Sequence, residues 1–585
     1  MKYQEFYDKK LNTESAKFNP QVGLLEENLL NWGGGYHSRY LGIVHKTREN
    51  TAYATAIIVG KAHELYERAA SILEKVVDAQ DTREDSKTFG LWSYYFEESV
   101  DEMRAPDYNW SDFISKDLIG ALIFGQDVLN EGLKEKLRNA IRNAAICSIH
   151  RDVAPDYTNI SVMSSFCIVA AGELLGNQEY VEIGRKRLKR FWEYIEFNGN
   201  FSEYNSTNYS VITLEELSRI VVLVKDKETL ETAQKLLEVG WKLVAEHYNV
   251  SIKQHTPPYY RAYYDVDVFD KNAHAIYLPA WLYCGTDGKV GEILSEKRIT
   301  FDTIFYHQLC PPHILPLFEP VEERVVDEVF YKKNNFRPVG YEYCTISNYD
   351  CPDLRAYSYM TKDYSMGSFD VIDGWNQRRS SMVIWGKEDP SYIRIRCMNN
   401  AYDFCSGMIY TDQYKNRMVS QLGFVNDRGD FHFNLDPIID GTIKTKELYF
   451  KIEFGGKAVT VSRDGNVFTY ESQGVRVVVD IRKWIFDGQE AEIVFNEKDN
   501  CIELMCYRGE EKELNLTALK KTYGVVVISV NGKETYEVQT ACEGDKVSTT
   551  VKTLESELYV SSPTNVMGYG QALLNYKTSK RCGNE

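Results

Sequence analysis

From about residue 50 to residue 285, apolar residues recur at three- and four-residue intervals, the spacing of one face of an α-helix. The run Thr51 to Val76 (TAYATAIIVGKAHELYERAASILEKV) is the first such stretch. Others follow at about 113–129, 132–149, 160–176, 179–197, 211–225, 228–247 and 270–284. Prolines sit between them, at Ala105-Pro106 and in His255-Thr-Pro-Pro258, where they interrupt no helix. Helices of this length on short loops favour antiparallel neighbours, so the N-terminal half reads as an array of helical hairpins. Residues 286–335 are mixed, and Pro311, Pro312, Pro316, Pro320 and Pro338 mark a linker. After it the period becomes two. KELYFKIEF, KAVTVSRDGNVFTYES, VRVVVDI and YGVVVISVNGKETYEV read as strands, with Asp464-Gly465 and Asn531-Gly532 as tight hairpin turns. That many strands call for two packed sheets. The expected fold is α+β and multidomain. An N-terminal (α/α) toroid of helical hairpins with its linker covers 1–325, and a C-terminal antiparallel β-sandwich covers 326–585.

Polar landmarks punctuate the helical half about once every fifty residues, each just ahead of an apolar stretch: Asn109-Trp110, Asn159, Tyr209 and Arg261. One helix-turn-helix hairpin with its loops has about that period, so the landmarks should return to one end of a ring of hairpins. Thr158 is the expected N-cap of its helix, which puts Asn159 in the first turn. Taken singly, an Asn here reads as a cap, a loop Tyr as packing, and an Arg among tyrosines as a stacked cation. Their common spacing raises them together as a site.

Composition narrows the chemistry. The chain has 585 residues and is too long for one ordinary core. Its net charge of −17 and lack of a Lys/Arg run exclude broad nucleic-acid binding but leave an anionic substrate open. The 41 tyrosines supply flat apolar faces with polar tips, suited to sugars. The 12 cysteines are scattered singly, with no CxxC pair, so buried reduced thiols are expected. No metal-ligand cluster stands out, and neither a metal nor an organic cofactor is expected. The start, MKYQEFYDKK, has no apolar core or cleavage signal, and no stretch reads as a membrane span. A cytoplasmic location is expected, or a secreted or periplasmic one if a leader has been trimmed.

The segment from Tyr157 to Glu173 (YTNISVMSSFCIVAAGE), followed by NGNFSEYNSTNYSVITLEEL, resembles the polysaccharide lyases built from an (α/α) toroid and a C-terminal β-sandwich. That group includes the heparinase II/III-like, alginate and chondroitin AC-type lyases. The resemblance implies catalytic roles for Asn159, Tyr209 and Arg261, with Glu203 at the acidic position of the Tyr209 loop. Those lyases usually add a histidine, directly after the Asn or some nine residues before the Tyr. This chain has Ile160 and Asn200 there. His255, His274 or His432 would have to replace it, or Tyr209 works without one.

The implied reaction is β-elimination from a 4-linked uronate in an anionic oligo- or polysaccharide. Asn159 and Arg261 would neutralise the carboxylate while Tyr209 removes the C5 proton and then protonates O4. Trp92, Asn109, Trp110, Asn205, Tyr260, Tyr263 and Trp375 are the candidate substrate contacts. The run Trp375-Asn-Gln-Arg378 closes the polar-aromatic segment 355–379, from which it would reach the cleft mouth. Two alternatives stay open. One is a glycoside hydrolase using a pair drawn from Glu97, Glu98, Glu203 and Asp265. The other is a non-catalytic glycan-binding relative.

Overall fold

The computed structural model describes residues 4–30, 37–263, 265, 300–306, 308, 310–332, 353–387, 389–456, 459–532 and 535–580. The chain folds as two compact units. One takes Met1–Glu196, Val211–Trp241 and Tyr277–Pro311, and the other takes Phe197–Ser210, Lys242–Ile276 and Pro312–Glu585. The division is therefore not a single cut near residue 325. Two loops from the helical half belong to the C-terminal unit.

The helical unit begins with α1 (Gln4–Ser15), α2 (Thr47–Val59) and α3 (Tyr66–Asp78). The single apolar stretch 51–76 is thus two helices. The break falls at Gly60 and Lys61, where a Cβ on Gly60 would lie 2.1 Å from the Tyr7 ring and Lys61 turns left-handed at φ 60°. Hairpins follow: α4 (Asn109–Phe124) with α5 (Glu131–Arg151), and α6 (Thr158–Leu175) with α7 (Gln178–Asn198). The chain continues through α8 (Tyr209–Leu223) and α9 (Lys227–His247), passing between the units within each. The expected helix at 270–284 lies outside the described residues.

Burial alternates along this series. α4 and α6 are buried all round, whereas α5 buries one stripe that includes Leu133, Leu137, Ala140, Ile141 and Ala144. A helix with no polar face belongs inside, and a striped one covers it. By length and composition α6 is apolar enough to cross a membrane, contrary to the sequence reading, but 83% of it is buried within the protein. It ends at Gly176, whose φ of 67° suits a residue without a Cβ.

Four charges inside the helical unit, three of them buried, face one another. Lys116 on α4 meets Glu216 on α8 at 2.5 Å and Asp302 at 2.7 Å, while Arg219 meets Asp302 at 2.5 Å and Glu216 at 3.2 Å. Removing one partner from such a set leaves a buried charge uncompensated.

In the C-terminal unit, strand order is antiparallel throughout two large sheets. One contains the strands Gly407–Tyr414, Arg417–Phe424, Tyr523–Val530 and Val475–Phe486 side by side. The other contains Cys501–Asn515, Thr442–Gly456, Ser391–Asn399, Met382–Trp385, Tyr364–Phe369, Leu354–Thr361 and Glu323–Tyr331. One apolar core draws Met418, Leu422, Val477 and Ile528 from the first and Met366, Trp385, Ile395, Phe450 and Ile502 from the second. Among the described residues, strands before residue 285 are two or three residues long. Asp464-Gly465 opens a two-residue hairpin loop, with Gly465 at φ 57°. Asn531-Gly532 does not join a hairpin. Asn531 exchanges hydrogen bonds with Arg476, and the next strand, Glu537–Glu543, pairs instead with Lys546–Lys552 in a separate four-stranded sheet.

The two loops from the helical half are stitched into the second sheet. Asn249 donates to the Thr361 carbonyl (2.7 Å) and Ser365 (3.0 Å), and Ser358 donates to the Pro257 carbonyl (2.7 Å). Tyr259 and Arg379 exchange two backbone hydrogen bonds of 3.0 Å. Gly367 permits this approach, because a Cβ there would stand 1.9 Å from the Pro257 oxygen.

Candidate functional site

Two short backbone segments, Ser202–Tyr209 and Tyr259–Tyr263, lie side by side in the C-terminal unit. Ser206 locks them: its hydroxyl donates to the Arg261 carbonyl at 2.5 Å and accepts from the Tyr209 amide at 2.9 Å. Tyr260 N–H donates to the Tyr204 carbonyl (3.1 Å), and Tyr263 N–H donates to Asn208 Oδ1 (3.2 Å). Tyr209 is the first residue of α8, so the helix start fixes its backbone while its side chain faces the neighbouring segment.

Arg261 is the hub. Its Nη2 donates to Tyr209 Oη at 3.0 Å, its Nη1 to Glu203 Oε1 at 2.5 Å, and its Nε to Gln377 Oε1 at 2.7 Å. The guanidinium carbon lies 4.0 Å from the centre of the Tyr209 ring. Tyr209 Oη also hydrogen-bonds to Tyr263 Oη. Tyr209 is 9% exposed and Tyr263 50%, so the phenol pair leads from a nearly closed site to solvent. Chemically this is a phenol whose oxygen already receives a cationic donor, an arrangement that favours the phenolate.

The segment Asp373–Arg379 presents Gln377. Burial works against the Asp373 carboxylate, but Arg428 at 2.7 Å and Arg378 at 3.4 Å outweigh it and hold its pKa below the usual range. The Gln377 carbonyl accepts from Ala262 N–H at 2.8 Å, so Gln377 grips the Arg261 segment through main chain and side chain alike.

Several residues expected to meet substrate prove to be supports. Asn205 is fully buried, and its amide donates to the carbonyls of Thr256 and Pro258, each at 2.9 Å. Its oxygen accepts from His255 Nε2. His255 is itself buried, and burial, reinforced by His247, drives its pKa well below the ordinary value. It braces the Tyr209 loop from behind, where burial favours the neutral imidazole. Tyr260 and Trp375 are buried beneath the cluster with the Arg378 guanidinium over both rings, at 3.9 and 4.9 Å, and neither offers an open face. Trp375 also packs edge-on against His432, 5.2 Å between centres. Glu203 is committed to Arg261, and Asp265 to Arg379 (2.5 Å) and Arg394 (2.8 Å). His274 and Tyr264 lie outside the described residues.

Asn109, Trp110, Asn159 and Trp92 belong to the helical unit. Asn109 is the first residue of α4, and its amide donates to the hydroxyl of Tyr157, the N-cap of α6, at 3.1 Å. The two helices therefore start at the same end, as their period implies. Tyr157, not Thr158, occupies the cap, and Asn159 is buried in the first turn. Trp110 is half-buried and stacks on Tyr94 with centres 4.0 Å apart. Trp92 is fully buried, its indole N–H donating to the Val76 carbonyl at 2.7 Å, and is a core residue.

Sequence reasoning missed Ser206 and Asn208, which are visible in retrospect as the polar run Asn205-Ser-Thr-Asn208. It had Gln377 within Trp375-Asn-Gln-Arg378 but not its pairing with Arg261. Among the described residues no His/Cys/Asp/Glu group could hold a metal ion.

The model of a domain of unknown function (DUF8769) matches residues 6–295. No protein of curated function matches the sequence. Solved structures with a related chain course include heparinase III, at TM-score 0.42 and 9% identity, covering 88% of this chain and 82% of that one. They also include the Streptomyces coelicolor A3 chondroitin AC lyase in complex with chondroitin sulphate, at TM-score 0.45 and 9% identity, covering 88% and 79%.

Proposed function

We propose that this protein is a polysaccharide lyase that cleaves a 4-linked uronate glycan by β-elimination, on a helical half closed into an (α/α) toroid. The observation that carries the reading is the 3.0 Å hydrogen bond from Arg261 Nη2 to Tyr209 Oη. The C5 proton of a uronate is barely acidic, and a phenol with a reference pKa near ~10 is a poor base until its anion is stabilised. Arg261 supplies that stabilisation by direct charge and by a donated hydrogen bond. Glu203 and Gln377 hold the guanidinium in place. The Tyr209 phenolate takes the C5 proton and, as the C4–O4 bond breaks, returns it to the departing oxygen. In this reading Asn159 donates to the uronate carboxylate as charge develops. Asn109 and Trp110, with Tyr94 behind the indole, contact neighbouring sugar rings.

The test is to incubate the protein with a panel of uronate-containing oligosaccharides and follow ultraviolet absorbance. Only elimination creates the conjugated double bond of an unsaturated uronate. Release of reducing ends without that absorbance refutes the reading.

A further inference from the structure

Tyr263 has no part in the reaction as just written, yet its hydroxyl contacts the proposed base directly. Its backbone is fixed by Asn208 and its ring is tilted 54° to that of Tyr209, with 5.9 Å between centres. Resting on the proposed lyase reading of this same site, we infer that Tyr263 is a positioning residue that donates a hydrogen bond to the Tyr209 phenolate.

The proton count sets its role. A neutral Tyr209 has one proton and one cationic donor, Arg261, so its own O–H can point at Tyr263 Oη. Once Tyr209 is ionised it has only acceptor sites, and the bond between the phenols must reverse, with Tyr263 O–H donating to Tyr209 O⁻. The anion is then held by two donors. Tyr263 never loses its proton: the C5 proton goes to Tyr209 and from there to O4. Tyr263 is half exposed to water, while Tyr209 is nearly closed off from it. Among the described residues, the charged groups facing the pair include Arg261 and, across it, Glu203. Asp265 is turned to Arg379 and Arg394. A hydrogen bond to a charged group carries enough free energy to move the Tyr209 midpoint by roughly one to two pH units.

The experiment labels the tyrosines of the full-length protein with 13C at Cζ and titrates them by NMR, identifying the Tyr209 resonance by its loss in Tyr209→Phe. In Tyr263→Phe the Tyr209 midpoint should rise by roughly one to two units. The alkaline rise of kcat on a cleavable uronate glycan should move by the same amount, with KM within about twofold. Phenylalanine keeps the ring at a half-exposed position, and Tyr263→Leu provides a second variant lacking the hydroxyl. An unchanged midpoint overturns the inference, as does a rise in KM with kcat and titration unmoved, which would make Tyr263 a sugar contact. A shifted midpoint in a protein that forms no unsaturated product from any uronate supports the Tyr263 role and refutes the lyase reading instead.

Discussion

Glu203→Gln is the substitution that separates elimination from hydrolysis. Glu203 is buried and lies 2.5 Å from Arg261 Nη1. Glutamine keeps an oxygen in that place and deletes the charge. Glutamine still accepts from the cationic guanidinium, a bond worth about 1.5–3 kcal/mol, so what is lost is the attraction between two full charges, well short of the roughly 3–5 kcal/mol that follows removal of a buried partner outright. Its effect on turnover is smaller, because two changes oppose each other. Arg261 is held less firmly, but with its counter-charge gone it favours the Tyr209 phenolate more strongly. The rate should stay within about tenfold of the parent, whereas Tyr209→Phe, which deletes the proton carrier, should lose at least ~10²–10⁴-fold. A hydrolase using Glu203 reverses the order, since loss of its general acid or base costs that same ~10²–10⁴-fold. Reducing ends and ultraviolet absorbance are measured together on each variant, with circular dichroism to confirm folding. If Glu203→Gln abolishes reducing-end release while Tyr209→Phe keeps most of it, the reasoning fails.

Other substitutions probe the supports. Gln377→Ala removes the acceptor of Arg261 Nε, and kcat should fall about tenfold with KM little changed, the sign of a lost transition-state contact. Gly367→Ala forces a methyl against the Pro257 carbonyl, and urea denaturation should show a loss of about 1–3 kcal/mol or more. Burial raises the Asp112 pKa to about 6, against the pull of Ser148 and Arg151. A carboxyl whose folded pKa is raised binds its proton more tightly when folded, so its contribution is full below the unfolded value near ~3.9 and is lost as pH rises to about 6. Asp112→Asn should flatten that decline in stability between the two pH values, as urea denaturation across the range will show.

Periodicity carried the contrast between a helical and a strand-rich half and the place of three landmarks at helix starts. The switch from a helical to a strand period identified the two halves, and the fifty-residue spacing brought Asn109, Asn159 and Tyr209 to helix starts. The match of Tyr209 with Arg261 was legible because the two stand about fifty residues apart, the spacing shared by the other landmarks. Gln377 was not, since it reaches Arg261 across 116 residues and through a sheet whose register no local pattern encodes. The burial of His255, Asn205, Tyr260 and Trp375 was not legible for one reason. An amphipathic side chain in a loop looks alike in sequence whether its polar end meets a sugar or a neighbouring carbonyl. The same holds for Trp92, whose indole N–H meets the Val76 carbonyl. Asn531-Gly532 carried a sound turn signal, but a turn does not say which strand its far side will join.

The stitching of residues 197–210 and 242–265 into the C-terminal unit bears on how this protein can be taken apart. A gene cut at the point where the sequence changes period would yield two fragments, neither self-sufficient. The C-terminal piece would lack the segment that covers Gly367 and satisfies Ser358, Asn249's acceptors and the Arg379 backbone. The helical piece would carry Tyr209 and Arg261 on loops severed from the sheet that shapes them. The two halves are consequently not interchangeable modules. Swapping either against a relative would have to bring both loops along with the sheet, so the unit of inheritance here is the whole chain.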